Sequence, residues 1–303
     1  MTIASIDIGT NTVLLLIAEV NKKLQIKSIL DEYRIPRIGK GLLPDGQISE
    51  DRIKELIFVL NEYKELIKTY ECERIIVTAT NAMRIATNRN QIVARIKDQF
   101  GWDANIVSGK EEAGLSFLSA VSSYSGYSTK MVIDIGGGST ELIYGKHTEI
   151  EFIKSFPIGV VSCSEKYLEN DPPTQNQLEG LREHIQKVLG ELSTLNYRPD
   201  ISIAIAGTPT TLACMDLNLG KYDEKLIEGH KLSYNKIGEI VNIIQNLTFT
   251  EIRNTYKSVV KGREDLILAG SIILLKIMEL TKVDYIIVST KGIRYGAIIK
   301  EVI

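Results

Sequence analysis

Long apolar runs, disulfide-forming cysteines, histidine clusters and an excess of either charge are all scarce in this sequence, and each scarcity removes a class of function. No stretch reaches the length of a membrane span; the best candidates, Val13–Ala18 and Leu266–Met278, are short or interrupted. Cys72, Cys163 and Cys214 are isolated and odd in number, which excludes a disulfide framework and points to a reducing, cytoplasmic compartment. His147, His184 and His230 lack metal-ligand spacing, so no zinc centre is expected. The N-terminus runs Met1-Thr2-Ile3-Ala4 into a strand without a basic region or a small-residue cleavage site, so no signal peptide is expected. With 36 basic and 38 acidic residues the net charge is -2, and a polyanionic ligand has to be held by local groups. Neither a nucleic-acid polymer nor a membrane is an expected partner.

What remains is ordinary globular composition. Of 303 residues, 44% are hydrophobic and 24% charged, about right for two domains. Short β-rich runs alternate with amphipathic periods, which predicts an α/β protein. The pattern predicts strands over Ile3–Ile8, Val13–Val20 and Leu24–Arg34, a turn at Pro44-Asp45-Gly46, and a helix after Ser49 carrying Ile53, Leu56, Ile57, Leu60 and Ile67 at helical spacing. Next come strand Arg74–Ala79, a polar turn at Thr80-Asn81, helix Ile92–Phe100, strand Ala104–Val107 and a helix opening at Ser108. Strands Lys130–Ile135, Thr140–Tyr144 and Thr148–Phe156 follow, then a long helix capped at Thr174, strand Ile201–Ala206, helices Asn235–Gln245 and Leu266–Leu280, strand Tyr285–Ser289 and a closing helix, Gly292–Val302.

One internal repeat organises the chain. Ile6-Asp7-Ile8-Gly9-Thr10-Asn11-Thr12 recurs as Ile133-Asp134-Ile135-Gly136-Gly137-Gly138-Ser139-Thr140. Each copy ends a strand with Asp, turns on Gly and small polar residues, and starts another apolar strand. Glycine lets backbone approach a bulky anion and is expected to adopt positive φ here. Turn amides can then point at phosphate oxygens, with Thr10, Asn11, Thr12, Ser139 and Thr140 as side-chain donors. Asp7 and Asp134 at the strand ends could hold Mg²⁺, directly or through its waters. Two copies half a chain apart predict two related lobes facing a cleft, over 1–122 and 125–290, with the boundary and a hinge in Ser122–Ser128. The final helix, 292–303, is expected to cross back onto the first lobe.

The helix at Ser108 carries adjacent glutamates. Ser108-Gly109-Lys110-Glu111 has capping-box spacing, which occupies Glu111. Glu112 has no such task and is the expected free carboxylate, suited to accepting a proton from water.

The two loops resemble the phosphate motifs of the actin, sugar kinase and heat-shock chaperone superfamily. Asp7–Val13, Thr78–Arg84, Ser108–Ala113 and Val132–Leu142, in that order, resemble the exopolyphosphatase / guanosine pentaphosphate phosphohydrolase family. The resemblance implies an α/β, two-lobed, duplicated ribonuclease H-like (actin-like ATPase) fold with a central cleft. It implies Mg²⁺-assisted hydrolysis of a terminal phosphoanhydride, in polyphosphate or guanosine pentaphosphate, and a place in the stringent response. By resemblance Glu112 is the general base, Arg84 a phosphate clamp, and Glu141 part of the metal and phosphate shell with Asp7 and Asp134. Gly9, Gly136, Gly137 and Gly138 frame the phosphates. A homodimer is compatible with it. Ala206 stands where the family has a second glycine before Thr208, and Pro209 removes a donor, which weakens the third loop as a nucleotide site. Long family members carry a further helical domain that does not follow before Ile303, so processive grip on long chains is not expected. Two alternatives stay open: a kinase or ATPase of the same fold, and a non-catalytic sensor of polyphosphate or guanosine tetraphosphate.

Overall fold

The computed structural model describes residues 1–22, 24–42, 46–124, 126–147 and 149–302. Of the turn expected at Pro44-Asp45-Gly46, only Gly46 is among them. In chain order the elements are β1 (Thr2–Ile8), β2 (Val13–Val20), β3 (Ile26–Arg34), α1 (Glu50–Thr69), β4 (Arg74–Ala79), α2 (Asn81–Ile85), α3 (Arg89–Phe100), β5 (Ala104–Ile106) and α4 (Gly109–Ser123). Then come β6 (Thr129–Ile135), β7 (Thr140–Lys146), β8 (Glu149–Phe156), α5 (Val160–Tyr167), α6 (Gln175–Leu189), β9 (Ile201–Ile205), α7 (Gly207–Asp216) and α8 (Glu224–Ile227). The chain closes with β10 (Lys231–Ser233), α9 (Tyr234–Ile244), α10 (Phe249–Tyr256), α11 (Ile267–Thr281), β11 (Tyr285–Val288) and α12 (Ile293–Val302). No helix among the described residues is long and apolar enough to cross a membrane.

The chain divides into two units, Met1–Ser119 with Lys291–Ile303, and Ala120–Thr290. The division falls inside α4, and Ser122 and Ser123 are its last residues. In the first unit the sheet order is β3-β2-β1-β4-β5, with β1 antiparallel to β2 and parallel to β4. In the second unit the order β8-β7-β6-β9-β11 repeats it, with the same senses, and β10 adds an antiparallel edge. This is a duplicated ribonuclease H-like, actin-like α/β architecture.

Strand composition explains the layering. β1 and β2 are buried at nearly every position, β2 through an almost unbroken apolar run, so they have no face to offer water. Their sheet is covered on both faces. On one side α1 seats Leu56, Leu60 and Tyr63 among Ile6, Ile8 and Leu15. On the other, Tyr295 and Ile298 of α12 pack on Ile3, Leu16 and Ala18. In the second unit α11 is buried around most of its circumference, from Ile267 to Leu274, as a helix without a polar face must be.

Tyr63 joins this core to the first loop. Its side chain is fully buried, and its hydroxyl donates to Val13 O at 2.8 Å, just where β2 leaves the turn. Tyr63→Phe is expected to lower unfolding free energy by about 1–2 kcal/mol, since a buried carbonyl loses a donor. The urea midpoint measures this; an unchanged midpoint would show that the hydroxyl contributes nothing.

Candidate active site

The carboxyl ends of parallel strands collect ligand-binding loops in open α/β sheets. In the first unit β1 and β4 run side by side with Asp7 opposite Thr78, and β4 pairs β5 with Ala79 opposite Ile106. The turns leaving these three strands therefore share one edge: 9–12 after β1, α2 after β4, and the start of α4 after β5. In the second unit the matching turn, 136–139, leaves β6.

The two turns are built alike. Gly9 N–H donates to Thr12 O at 3.0 Å, and Gly136 N–H to Ser139 O at 2.9 Å. A Cβ on Gly9 would sit 2.9 Å from Thr12 O, and one on Gly136 3.0 Å from Ser139 O. Glycine is therefore required for space. The expected positive φ is not observed: Gly9, Gly136, Gly137 and Gly138 are all outside the left-handed region.

Carbonyl tethers aim the remaining amides. In the first loop Gly39 N–H donates to Thr10 O at 2.9 Å and Arg37 N–H to Asn11 O at 3.0 Å. In the second, Val160 N–H donates to Gly136 O at 3.0 Å and Val161 N–H to Gly137 O at 2.7 Å. A trans peptide points its C=O and the following N–H in opposite directions. The N–H groups of Asn11 and Thr12, and of Gly137 and Gly138, consequently face away from these tethers. Among the described residues none of the four makes a hydrogen bond. Such consecutive free amides form an anion-binding nest.

Side chains differ from expectation at one position in these loops. Thr140 Oγ1 donates to Ile158 O at 2.7 Å and is fully buried, so it braces the segment leading to Gly159 and is not presented to a ligand. Thr12 Oγ1 accepts from Asn11 Nδ2 at 3.3 Å and keeps its own proton to donate. Thr10 and Ser139 are buried within their turns.

Gly159 and α5 are the parts that the sequence reading missed. Gly159 is the N-cap of α5, at extended φ. A Cβ there would lie 2.5 Å from Gly137 C and O and from Gly138 N. Helix α5 is thus docked by its amides beneath the second loop, with no room for a side chain between. The available signal was a glycine at a strand-to-helix junction, Pro157-Ile158-Gly159-Val160-Val161.

The acidic residues separate into two groups. Asp134 and Glu141 face each other across β6 and β7, so their side chains emerge side by side on one sheet face. In the first copy the partner of Asp7 is Leu14, so the acidic pair belongs to the second copy only. Glu141 is 0% exposed and accepts from Ser155 Oγ at 2.6 Å. Among the described residues no group of three or more His, Cys, Asp or Glu is arranged to hold a metal. Two opposed buried carboxylates nevertheless suit a divalent ion, because like charges so placed repel without one. Mg²⁺ commonly takes only one or two carboxylates and fills its other positions with water and phosphate oxygens.

Glu111 and Glu112 divide as expected in one respect and not in another. Glu111 closes the capping box, accepting from Ser108 N–H at 2.8 Å, and that bond holds its carboxyl below the ordinary range. This cap contributes above the ordinary carboxylate pKa and is lost as pH falls through the lowered one. Glu112 was expected to be free. It is instead ion-paired: Arg84 Nη1 reaches Glu112 Oε2 at 2.8 Å, and Glu112 is 6% exposed. Arg84 also donates to Val107 O at 2.9 Å and Asn81 Oδ1 at 3.2 Å. The cause is α2, a helix where a polar turn was expected, which turns Arg84 toward the start of α4. The clamp and the base expected from sequence are therefore in direct contact.

A sequence model of the Ppx/GppA phosphatase family matches residues 16–302. The chain belongs to this family. Among Ppx/GppA relatives, it is 30% identical to exopolyphosphatase 2 of Mycobacterium tuberculosis over 97% of this chain and 96% of that protein. It is 31% identical to the bifunctional 3-dehydroquinate synthase/phosphatase of Fusobacterium nucleatum over 99% of this chain, and spans about half, 46%, of that relative. The crystal structure of the Aquifex aeolicus Ppx/GppA family member matches with a TM-score of 0.85 and 34% identity, covering 100% of this chain and 97% of that one.

Proposed function

We propose that this chain hydrolyses the terminal phosphoanhydride of inorganic polyphosphate. The observation that carries the reading is the pair of matching turns whose carbonyls are tied back and whose successive N–H groups are left for an anion. The exopolyphosphatase name of a relative matched over nearly its whole length supports the same substrate class.

In this reading the amides of Asn11, Thr12, Gly137 and Gly138 hold phosphate oxygens, and the Thr12 hydroxyl adds a donor. Arg84 places its guanidinium against the terminal phosphoryl group, where a planar fork suits a phosphate. Glu112 orients the attacking water and takes its proton as the new P–O bond forms. The anhydride P–O bond breaks, and inorganic phosphate leaves along with a chain one unit shorter. Positioning and charge neutralisation supply most of the rate. Asp134 and Glu141, opposed across β6 and β7, are the residues that would hold Mg²⁺, which when bound neutralises phosphate charge. Guanosine pentaphosphate presents the same terminal group and is the second substrate to compare.

A phosphate-release assay on polyphosphate and on guanosine pentaphosphate, with Mg²⁺ and with a chelator, tests this. Release from polyphosphate that is lost on chelation is the expected result. No release from polyphosphate under either condition would overturn the proposal, and release insensitive to chelation would remove the metal from it.

A further inference from the structure

Residues 35–42, between β3 and α1, form neither strand nor helix, yet they are fixed like a core element. Ile38 is fully buried and Leu42 nearly so, both in the cluster that holds Ile8 and Val13, the residues on either side of the first loop. Two internal bonds close the segment into consecutive turns: Lys40 N–H donates to Arg37 O at 3.0 Å, and Leu42 N–H to Gly39 O at 3.2 Å. The same segment supplies the Arg37 and Gly39 N–H groups that tie back Asn11 O and Thr10 O.

At Gly39 the approach to the loop leaves no room for a side chain. A Cβ there would lie 2.2 Å from Thr10 Cγ2, 3.3 Å from Thr10 O and 3.4 Å from Thr10 Cβ. The space is taken by the Thr10 methyl group. The Cβ of threonine is chiral and its χ1 is stiff, so seating the methyl on Gly39 also fixes where the hydroxyl points. Thr10 is 7% exposed. Its hydroxyl makes no hydrogen bond among the described residues, and it is not one of the enclosed polar atoms that lack a partner. The small exposed part of Thr10 therefore includes the hydroxyl, on the loop that carries the free Asn11 and Thr12 amides.

We propose that Gly39 is a positioning residue of the first phosphate loop: by admitting the Thr10 methyl it turns the Thr10 hydroxyl to the anion, beside those amides. This rests on the reading of the loop as a phosphate site. A side chain at position 39 has two ways to fit. It can rotate Thr10, which carries the hydroxyl away, or lift the segment off the loop, which lengthens the bond to Thr10 O. A trans peptide couples that carbonyl to the Asn11 N–H, so either route withdraws a donor from the same anion. Gly159 supports the second loop through backbone contacts alone, whereas Gly39 acts through the rotamer of a side chain.

The test is a double-mutant cycle of Gly39→Ala and Thr10→Ser, read by calorimetric binding of tripolyphosphate and by steady-state phosphate release. Serine keeps the hydroxyl and deletes the methyl that a new Cβ would strike. Gly39→Ala alone should raise Kd and KM about tenfold or more, the scale of a lost hydrogen bond to a charged group. It should leave kcat nearly unchanged, because the contact is made to substrate and transition state alike. In the Thr10→Ser background the same change should raise Kd by no more than about twofold, the coupling that action through Thr10 requires. Equal losses in both backgrounds, or a lowered melting temperature with Kd unchanged, would make Gly39 a packing residue only and overturn the inference. If Gly39→Ala does not fold, Thr10→Val decides, since it keeps a methyl and removes the hydroxyl. A rise in its Kd is expected, and an unchanged Kd would overturn the inference. Wild-type binding without phosphate release, with the coupling in Kd present, would remove the hydrolase reading and uphold Gly39. Absence of wild-type binding would overturn both.

Discussion

Glu112→Gln is expected to bind polyphosphate with near wild-type affinity and to lose about 10²–10⁴-fold in kcat, the usual contribution of a positioned base. Glutamine keeps the size of the side chain and can still accept a hydrogen bond from Arg84 Nη1, which reaches Glu112 Oε2 at 2.8 Å. What disappears is the ability to take a proton. Glu111→Gln is the matched control. It disturbs the cap at Ser108, where the carboxylate also accepts from the Ser108 hydroxyl at 2.9 Å, and should cost stability with little effect on kcat. Circular dichroism separates misfolding from lost chemistry. Indistinguishable kcat values for the two variants would refute the assignment of the base to Glu112.

The second large effect is expected at a residue with no functional group. Gly159→Ala should lower kcat/KM by about 10²-fold, the scale of a 1 Å misplacement in a positioned site. The added methyl would lie 2.5 Å from backbone atoms of Gly137 and Gly138, which have no rotamer through which to escape. Loop and helix must therefore move apart, and the Val160 and Val161 tethers that aim the Gly137 and Gly138 amides lengthen. Backbone strain plays no part, since φ at Gly159 is -152°. Gly180→Ala in α6 is the control: its nearest neighbour would be Tyr167 Cδ1 at 3.8 Å, and replacing a helical glycine should stabilise the fold by about 1 kcal/mol. Wild-type phosphate affinity in a folded Gly159→Ala protein would show that the second loop does not bind the substrate.

Local chemistry was legible in the residues. Asp, Gly and hydroxyl residues between two apolar runs announced both hairpins, and the repeat announced the duplicated sheet order. Thr174 with Gln177 and Ser108 with Glu111 marked their helix starts correctly, because a cap involves residues only three apart. Helices α2 and α5 were not legible. Each is short, without an apolar period long enough to distinguish it from a turn, and each takes its helical form against the sheet edge beside it.

By itself, then, the sequence determined the alternation of short strands and amphipathic helices, and that two Asp-Gly turns stand in equivalent places. Tertiary structure decided what those turns present. Arg84 and Glu112 are 28 residues apart and meet only because β4 and β5 end at the same sheet edge. The free amides of Gly137 and Gly138 are aimed by α5, more than twenty residues downstream, through carbonyls that no side chain encodes. Backbone direction is set by whatever pairs with it, and those partners come together only when the sheet has formed.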